Sequence, residues 1–442
     1  MRKEENEILT RVGPGTPMGE LFRRFWLPAA LSEELTEPGG APVRLRILCE
    51  DLLAFRDTSG KLGVIDAYCS HRQAPLFFGR NENCAIQCPY HGWRFNTEGE
   101  CIETPNAPNY LRDTPRAKER LAITAYPTRE AGGIVWIYMG PKGLEPPFPE
   151  FEFTKVPNNY RHASRWLQRS NWLQGAEGEI DTSHVSFAHK DLSNDHEKVA
   201  ITGLQYTLED DSPALSVKET DYGFLSGSRR NYQGKYFWRV TQWLAPMFSL
   251  IPRAPSDTFT SGGGRAWVPV DDNNTTTFAY NFRVDRPLSA DELRLIEEGA
   301  HFPPRMERGS IRLEQGHKID TWLPSANIDN DYLIDREAQK TLNFTGIWGV
   351  NEQDRCLQEA MRGESDGRGI VDRSREHLVA TDLAITAARR RLLRMVKALQ
   401  AGEPLRELAS GDIYAVRAVS KLCDVAELDD FIEKYREDAR AG

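Results

Sequence analysis

Apolar positions in the first 140 residues come in short runs broken by Gly, Asp and Asn, not at helical spacing. Val43–Leu48, Leu52–Phe55, Leu62–Ile65 and Gly133–Met139 each read as a strand, and Asp57 to Lys61 between two of them reads as a hairpin turn. Near residue 140 the chain becomes Pro-rich, which predicts a linker over 141–157. Beyond it a helical stretch runs from Asn171 to His184, followed by strand-like runs at Tyr236–Leu244, Arg265–Val270 and Thr276–Val284. In the last third, Ile385, Ala388, Leu392, Val396 and Leu399 recur at spacings of three and four, a helix that starts near Thr381 or Asp382 and ends before Gly402. Its arginines, Arg389 to Arg391 and Arg394, read as a solvated face matched to the helix dipole. The pattern divides the chain into an N-terminal segment (1–25), a β domain (26–140), the linker (141–157) and an α+β domain (158–442).

Composition narrows the class of protein. The chain has 442 residues, is 40% hydrophobic and 27% charged, and is long enough to build a large core without crosslinks. A net charge of −9 argues against nucleic-acid binding. No apolar run approaches the ~18 residues of a membrane span, and Met1 to Glu7 has no apolar core of a signal peptide. A cytoplasmic protein is expected. Seven cysteines, an odd number thinly spread, do not read as a disulfide framework. Three of them, Cys69, Cys84 and Cys88, are clustered, which suggests metal.

The cluster has an internal order: Cys69-Ser70-His71, then sixteen residues, then Cys88-Pro89-Tyr90-His91. Two cysteines and two histidines fit tetrahedral zinc or a [2Fe-2S] cluster with the thiolates on one iron and the imidazoles on the other. Each arm here is mixed, whereas zinc fingers pair Cys with Cys and His with His. Pro75, Gly79, Pro89 and Gly92 suit tight loops whose amides face cluster sulfurs. Cys84 and Cys101 lie outside the pattern and read as small buried apolar residues. A second candidate is the pair His184 and His189, with Asp181 three residues before His184 on the same helix face, where it could accept the imidazole's other N–H. Two histidines and a carboxylate on one face of Fe(II) leave positions open for O₂ and substrate. On a regular helix, however, His184 and His189 point about 140° apart and chelate together only if the helix breaks. By themselves they read equally as ordinary helix histidines, and Asp181 as a helix-terminal acid.

The stretch Cys69 to Arg72 with Cys88-Pro-Tyr-His-Gly-Trp-Arg-Phe95 resembles the Rieske motif of the Rieske non-heme iron ring-hydroxylating oxygenases, and Val12 to Ala29 is similar to their phthalate dioxygenase branch. Further similarity at Leu76–Glu82, Val135–Pro141 and Asp372–Asp382 carries the resemblance over most of the chain. It implies an all-β Rieske domain followed by an α+β catalytic domain of helix-grip type, an antiparallel sheet with helices. It implies a [2Fe-2S] cluster on Cys69, His71, Cys88 and His91, and Fe²⁺ on His184 and His189. Gly346 to Met361 resembles the segment that carries the iron carboxylate, which implies Asp354, in a first helical turn after a compact strand; Asp372 and Asp382 are the competitors. Asp181 takes the role of an electron bridge between the cluster of one subunit and the iron of the next. That role requires a homo-oligomer, a trimer or two stacked trimers.

The chain has no Gly-x-Gly-x-x-Gly run after a strand, so electrons are expected from a separate flavin and iron–sulfur reductase that draws on NAD(P)H. The resemblance implies cis-dihydroxylation of an aromatic compound, with monooxygenation or O-demethylation as the alternative. A pure Rieske electron carrier or a zinc module leaves the second constellation unexplained. Aromatic carboxylates, frequent in this branch, need a cationic partner, best a bidentate arginine. Lys218, Arg229, Arg230, Arg239 and Arg253 are the candidates, with Arg253 and Lys218 foremost; Trp243, Phe248 and Trp348 are aromatic-wall or core residues.

Overall fold

The computed structural model describes residues 1–108, 114–192, 205–252, 262–299, 302–314, 318–365 and 368–441. The predicted strands of the first unit form. Trp26–Leu31 pairs with Ile134–Tyr138, which also pairs with Thr128–Ala131. Val43–Ile47, Glu50–Arg56, Leu62–Asp66 and Ala125–Tyr126 make a four-stranded antiparallel sheet. The hairpin at Asp57 is closed by its own carboxylate, which accepts from the Ser59 and Lys61 amides at 2.8 and 2.9 Å. A further sheet, Arg80–Glu82, Ala85–Gln87, Arg94–Phe95 and Cys101–Glu103, carries the second ligand loop. Cys101 is buried as expected, but Cys84 is exposed, because it sits at the tip of a turn with φ of 58°.

The second unit is built on one long antiparallel sheet in the order Arg161–Gln168, Thr275–Phe282, Gly262–Pro269, Phe248–Leu250, Lys235–Leu244, Gly223–Tyr232, Ala214–Thr220. Residues directly opposite across a ladder share a face, so Arg239, Thr241, Trp243, Ser249, Arg265 and Trp267 lie on one face. The helix Trp172–Ile180 crosses that inner face so closely that a Cβ on Gly175 would lie 2.1 Å from the Trp267 ring. Only glycine fits there. On the outer face Phe248, Ala266 and Phe278 join Trp136, Phe151 and Phe153 in one hydrophobic core that extends from Leu9 to Tyr414. Residues 141–157 are therefore no free linker: Phe151 and Phe153 anchor them in this core. Arg165 to Glu34 (2.6 and 2.7 Å) and Arg44 to Asp320 (2.6 Å) join the two units through buried or half-buried charge.

Three sequence expectations need correction. The helix expected over 171–184 stops at Ile180, since Asp181 is extended (φ −71°, ψ 120°). Residues 346–349 form a turn, not a strand. The helix Leu383–Gln400 forms, with Gly402 at φ 73° just beyond it, but Arg389 and Arg391 are buried and not solvated. Arg389 meets Glu177 and Glu376, both at 2.6 Å, and Arg391 meets Glu407 and Glu219, because acids from distant elements neutralise them.

Candidate metal centres

The two Cys/His loops of the first unit share one backbone design. The Cys69 amide donates to the Ala74 carbonyl (2.9 Å) and the Gln73 amide returns to the Cys69 carbonyl (2.9 Å). The Cys88 amide donates to Trp93 (2.7 Å) and the Gly92 amide returns to Cys88 (2.9 Å), with the same offsets of five and four. Both loops need a left-handed residue at the fourth position after the cysteine, Gln73 at φ 56° and Gly92 at φ 78°. At Gly92 a Cβ would also lie 2.7 Å from Pro105. The design buries both thiols and brings the His71 and His91 rings to 4.5 Å between centroids, while Trp93 stacks on His71 at 4.5 Å and 6°. Burial pushes the Cys69 thiol up to about 12, although the His71 amide hydrogen-bonds its sulfur. The buried Nδ1 of His71 has no partner among the described residues. Two buried thiols and two imidazoles, one with an unpartnered nitrogen, fit a [2Fe-2S] cluster, whose charge would draw the thiols to thiolates.

In the second unit the break after Ile180 resolves the 140° problem. His184 opens a separate short helix, Val185–Ala188, and His189 closes it. Asp354, the fifth residue of the helix Val350–Ala360, comes to both: its Oδ1 lies 3.3 Å from His184 Nε2 and 3.1 Å from His189 Nε2. One ligand atom from each of the three lies within 4.8 Å of the others. Bonds of about 2.1 Å at right angles place neighbouring ligands ~3.0 Å apart, so the two Asp354–histidine distances suit a carboxylate and two imidazoles that would together hold one metal ion. Asp372 and Asp382 instead accept backbone amides of Ser374 and Val379. Burial opposes charge on Asp354, yet His189 and His184 hold it well below the usual carboxylate range. Burial likewise opposes charge on His184, and Asp181 and Asp354 override it, pushing the imidazole up to about 10. A divalent cation would satisfy the same donors with both imidazoles neutral.

Outside these ligands the two histidines are held differently. Asp181 is fixed by Ser183, whose amide and hydroxyl both donate to its Oδ1 at 2.8 Å. Its Oδ2 lies 3.4 Å from His184 Nδ1, an ion-pair distance at which Nδ1 has no hydrogen bond of acceptable geometry. The pair thus meets across an Asx turn and not along one helix face. His189 Nδ1 lies 2.7 Å from Gln353 Oε1.

The inner sheet face beside the triad is polar. Glu179 accepts from Arg265 at 2.7 Å, and burial pushes its carboxyl up to about 7 against the pull of that arginine. Ser226, Thr241 and Ser249 carry buried hydroxyl oxygens without partners among the described residues. Of the candidate cations, Lys218 lies on the opposite face, paired with Asp429 at the surface, which corrects the sequence expectation. Arg253 lies outside the described residues. Arg229 bonds the Ala426 carbonyl, and Arg230 donates to the Asp210 and Thr182 carbonyls and to Ser186, with its buried Nη1 unpartnered among the described residues. Arg239 lies on the inner face, its charge disfavoured by burial and favoured by Glu179, and it has no hydrogen-bond or ion-pair partner among the described residues. Trp243 and Phe248 are core residues, whereas Trp348 is 72% exposed and lines neither core nor site. Glu179, Arg265 and Gln353 carry no sequence signal of their own, since nothing in one dimension places them near the histidines.

The Rieske [2Fe-2S] domain family matches residues 25–127, and the family described as LigXa C-terminal domain like matches residues 137–423. The oxygenase subunit of 3-chlorobenzoate-3,4-dioxygenase from Comamonas testosteroni is 37% identical, covering 91% of this chain and 90% of that protein. The oxygenase subunit of phthalate 4,5-dioxygenase from Pseudomonas putida is 35% identical over 90% of this chain and 87% of its own. The oxygenase subunit of 5,5'-dehydrodivanillate O-demethylase from a Sphingobium species is 31% identical over 90% and 81%. Among solved structures, dicamba monooxygenase bound to 3,6-dichlorosalicylic acid shares the fold at a TM-score of 0.57 and 19% identity, covering 86% of this chain and 99% of that one. The chain belongs to the Rieske non-heme iron ring-hydroxylating oxygenases. It is an oxygenase component that carries a [2Fe-2S] cluster and a non-heme iron, and it works with O₂ and a separate reductase. No helix among the described residues is long and apolar enough to cross a membrane.

Proposed function

We propose that this chain is the terminal oxygenase that cis-dihydroxylates an aromatic carboxylate, with the cluster on Cys69, His71, Cys88 and His91 and Fe²⁺ on His184, His189 and Asp354. The observation that carries it is the convergence of His184, His189 and Asp354, with Arg239 on the adjoining inner face of the sheet. When bound, the cluster supplies single electrons and the ferrous ion supplies the open-sided site for O₂. Arg239 binds the substrate carboxylate in place of the expected Lys218, because its guanidinium lies on the inner face and makes no ion pair among the described residues. Ser226 and Thr241, two residues along the same face, offer hydroxyls to the same group.

Asp181 serves as the bridge for electrons that arrive from the cluster of a second copy, in a trimer or a pair of stacked trimers in the cytoplasm. In support, its carboxylate keeps one oxygen toward His184 while remaining partly exposed, and Phe187 and Phe344 lie exposed beside the iron histidines. At the cluster tip Tyr90, next to His91, is exposed as well. O-demethylation is the second reading, favoured by the Sphingobium relative.

The test is O₂ uptake by the reconstituted holoenzyme and a matched reductase with 3-chlorobenzoate, phthalate and methoxylated benzoates. Two ¹⁸O atoms in the product indicate dihydroxylation, and formaldehyde indicates demethylation. Loss of a charge-assisted hydrogen bond is worth about 1.5–3 kcal/mol, so Arg239→Met should raise KM for a carboxylate substrate by ~10–150-fold. An unchanged KM in a folded variant removes Arg239 from the substrate site.

A further inference from the structure

His189 is gripped from both sides by two consecutive residues of one helix. Asp354 approaches its Nε2 at 3.1 Å, and Gln353 approaches its Nδ1 at 2.7 Å. The orientation of the Gln353 amide is settled by its other end, since Nε2 donates to the Ile347 carbonyl at 2.9 Å. Turning the amide over would press its oxygen against that carbonyl oxygen. With the amide so fixed, Oε1 faces His189, and a hydrogen bond exists only if Nδ1 carries the proton. The lone pair is then on Nε2, the nitrogen beside Asp354. The Ile347 carbonyl is itself held by the turn ahead of the helix, where Gly349 stands at φ 89° and Asn343 also donates to it at 3.3 Å.

His184 is treated otherwise. Its Nδ1 faces the Asp181 carboxylate at 3.4 Å without a well-formed hydrogen bond. One imidazole is thus locked by a neutral, buried amide, and the other is left adjustable beside a carboxylate.

We infer that Gln353 is a positioning residue of the iron site: it fixes His189 as the Nδ1–H tautomer and aims Nε2 at the metal. The inference rests on the iron assignment proposed above. Outer hydrogen bonds of this kind typically change metal affinity by about 10–100-fold. A competing role, in which Gln353 merely ties the helix 350–360 to the Ile347 turn, uses only its amide donor.

Two variants separate the roles. Gln353→Leu removes both bonds; Gln353→Glu keeps the acceptor for His189 and loses the donor to Ile347. The measurement uses full-length protein with its cluster intact, freed of mononuclear iron, and titrates Fe(II) against a chromophoric chelator. Gln353→Leu should weaken Fe(II) binding by ~10–100-fold, with an unchanged Rieske absorption spectrum, while Gln353→Glu should stay near the parent affinity. Co(II) in the same site should give a shifted ligand-field spectrum in Gln353→Leu only. Parent-like affinity in Gln353→Leu, or equal weakening in both variants, overturns the inference. Absence of any Fe(II) binding by the parent overturns the iron assignment instead.

Discussion

Glu177 offers the sharpest test of how the helix that leads into Asp181 and His184 is held. It lies one turn before Asp181, and its carbonyl accepts the Asp181 amide at 3.0 Å. Its carboxylate takes Arg373 at 3.0 and 3.1 Å on Oε2 and Arg389 at 2.6 Å on Oε1, joining three distant segments. Arg373 is fully buried and among the described residues has otherwise only Asn6 Oδ1 at 3.2 Å, whereas Arg389 keeps Glu376. Glu177→Gln preserves shape but removes the charge and turns a donor toward a guanidinium. Breaking a buried pair by removing one partner costs about 3–5 kcal/mol, a large part of the roughly 5–15 kcal/mol that a folded domain has. At ~2–4 °C per kcal/mol, the thermal midpoint of the catalytic unit should fall by roughly 6–20 °C.

The same contact has a pH signature. Burial works against the Glu177 charge, but Arg373 and Arg389 hold its pKa below the ordinary value. A depressed folded pKa gives stability that is present above about pH 4.3, where the unfolded carboxyl titrates, and lost as pH falls further. Circular-dichroism melts of the holoenzyme at pH 3 to 6 (roughly the span around that titration) should show less acid sensitivity in Glu177→Gln. Pairing Glu177→Leu with Arg373→Met should recover part of the loss, since the stranded charge goes too. An unchanged midpoint in Glu177→Gln would refute the reasoning.

Three shorter predictions follow from the same geometry. His184→Ala should lose the mononuclear iron and turnover yet keep the Rieske electron paramagnetic resonance signal; turnover with normal iron content would move the site elsewhere. Asp181→Asn should keep both metals, because it is no ligand, but slow single-turnover reoxidation of the prereduced cluster; a parent-like rate would remove the bridge. Gly92→Ala meets both a positive φ and Pro105 at 2.7 Å, so the cluster content of purified protein should drop sharply, as read from its visible absorbance.

Much of this molecule was legible in one dimension. The Cys/His loops were readable because each is closed by hydrogen bonds within six residues, so residue order and local backbone preference nearly determine their shape. The strands at 43–66 and 235–282 and the helix at 383–400 follow from side-chain periodicity, a property of the local backbone. Other features depended on contacts between distant segments. Whether His184 and His189 share a metal turned on where the helix ends, and Asp181 breaks it through an Asx turn that spacing alone does not reveal. The arginines were the hardest. Arg389 and Arg391 look like a solvated face until Glu177 and Glu407 arrive from elsewhere, and Lys218 looks available until Asp429 occupies it. By itself the sequence determined the ligand chemistry and the local scaffolds that carry it. Only the tertiary structure decided which charges are spent and which, like Arg239, make no ion pair among the described residues, because pairing depends on distance in space and periodicity records only distance along the chain.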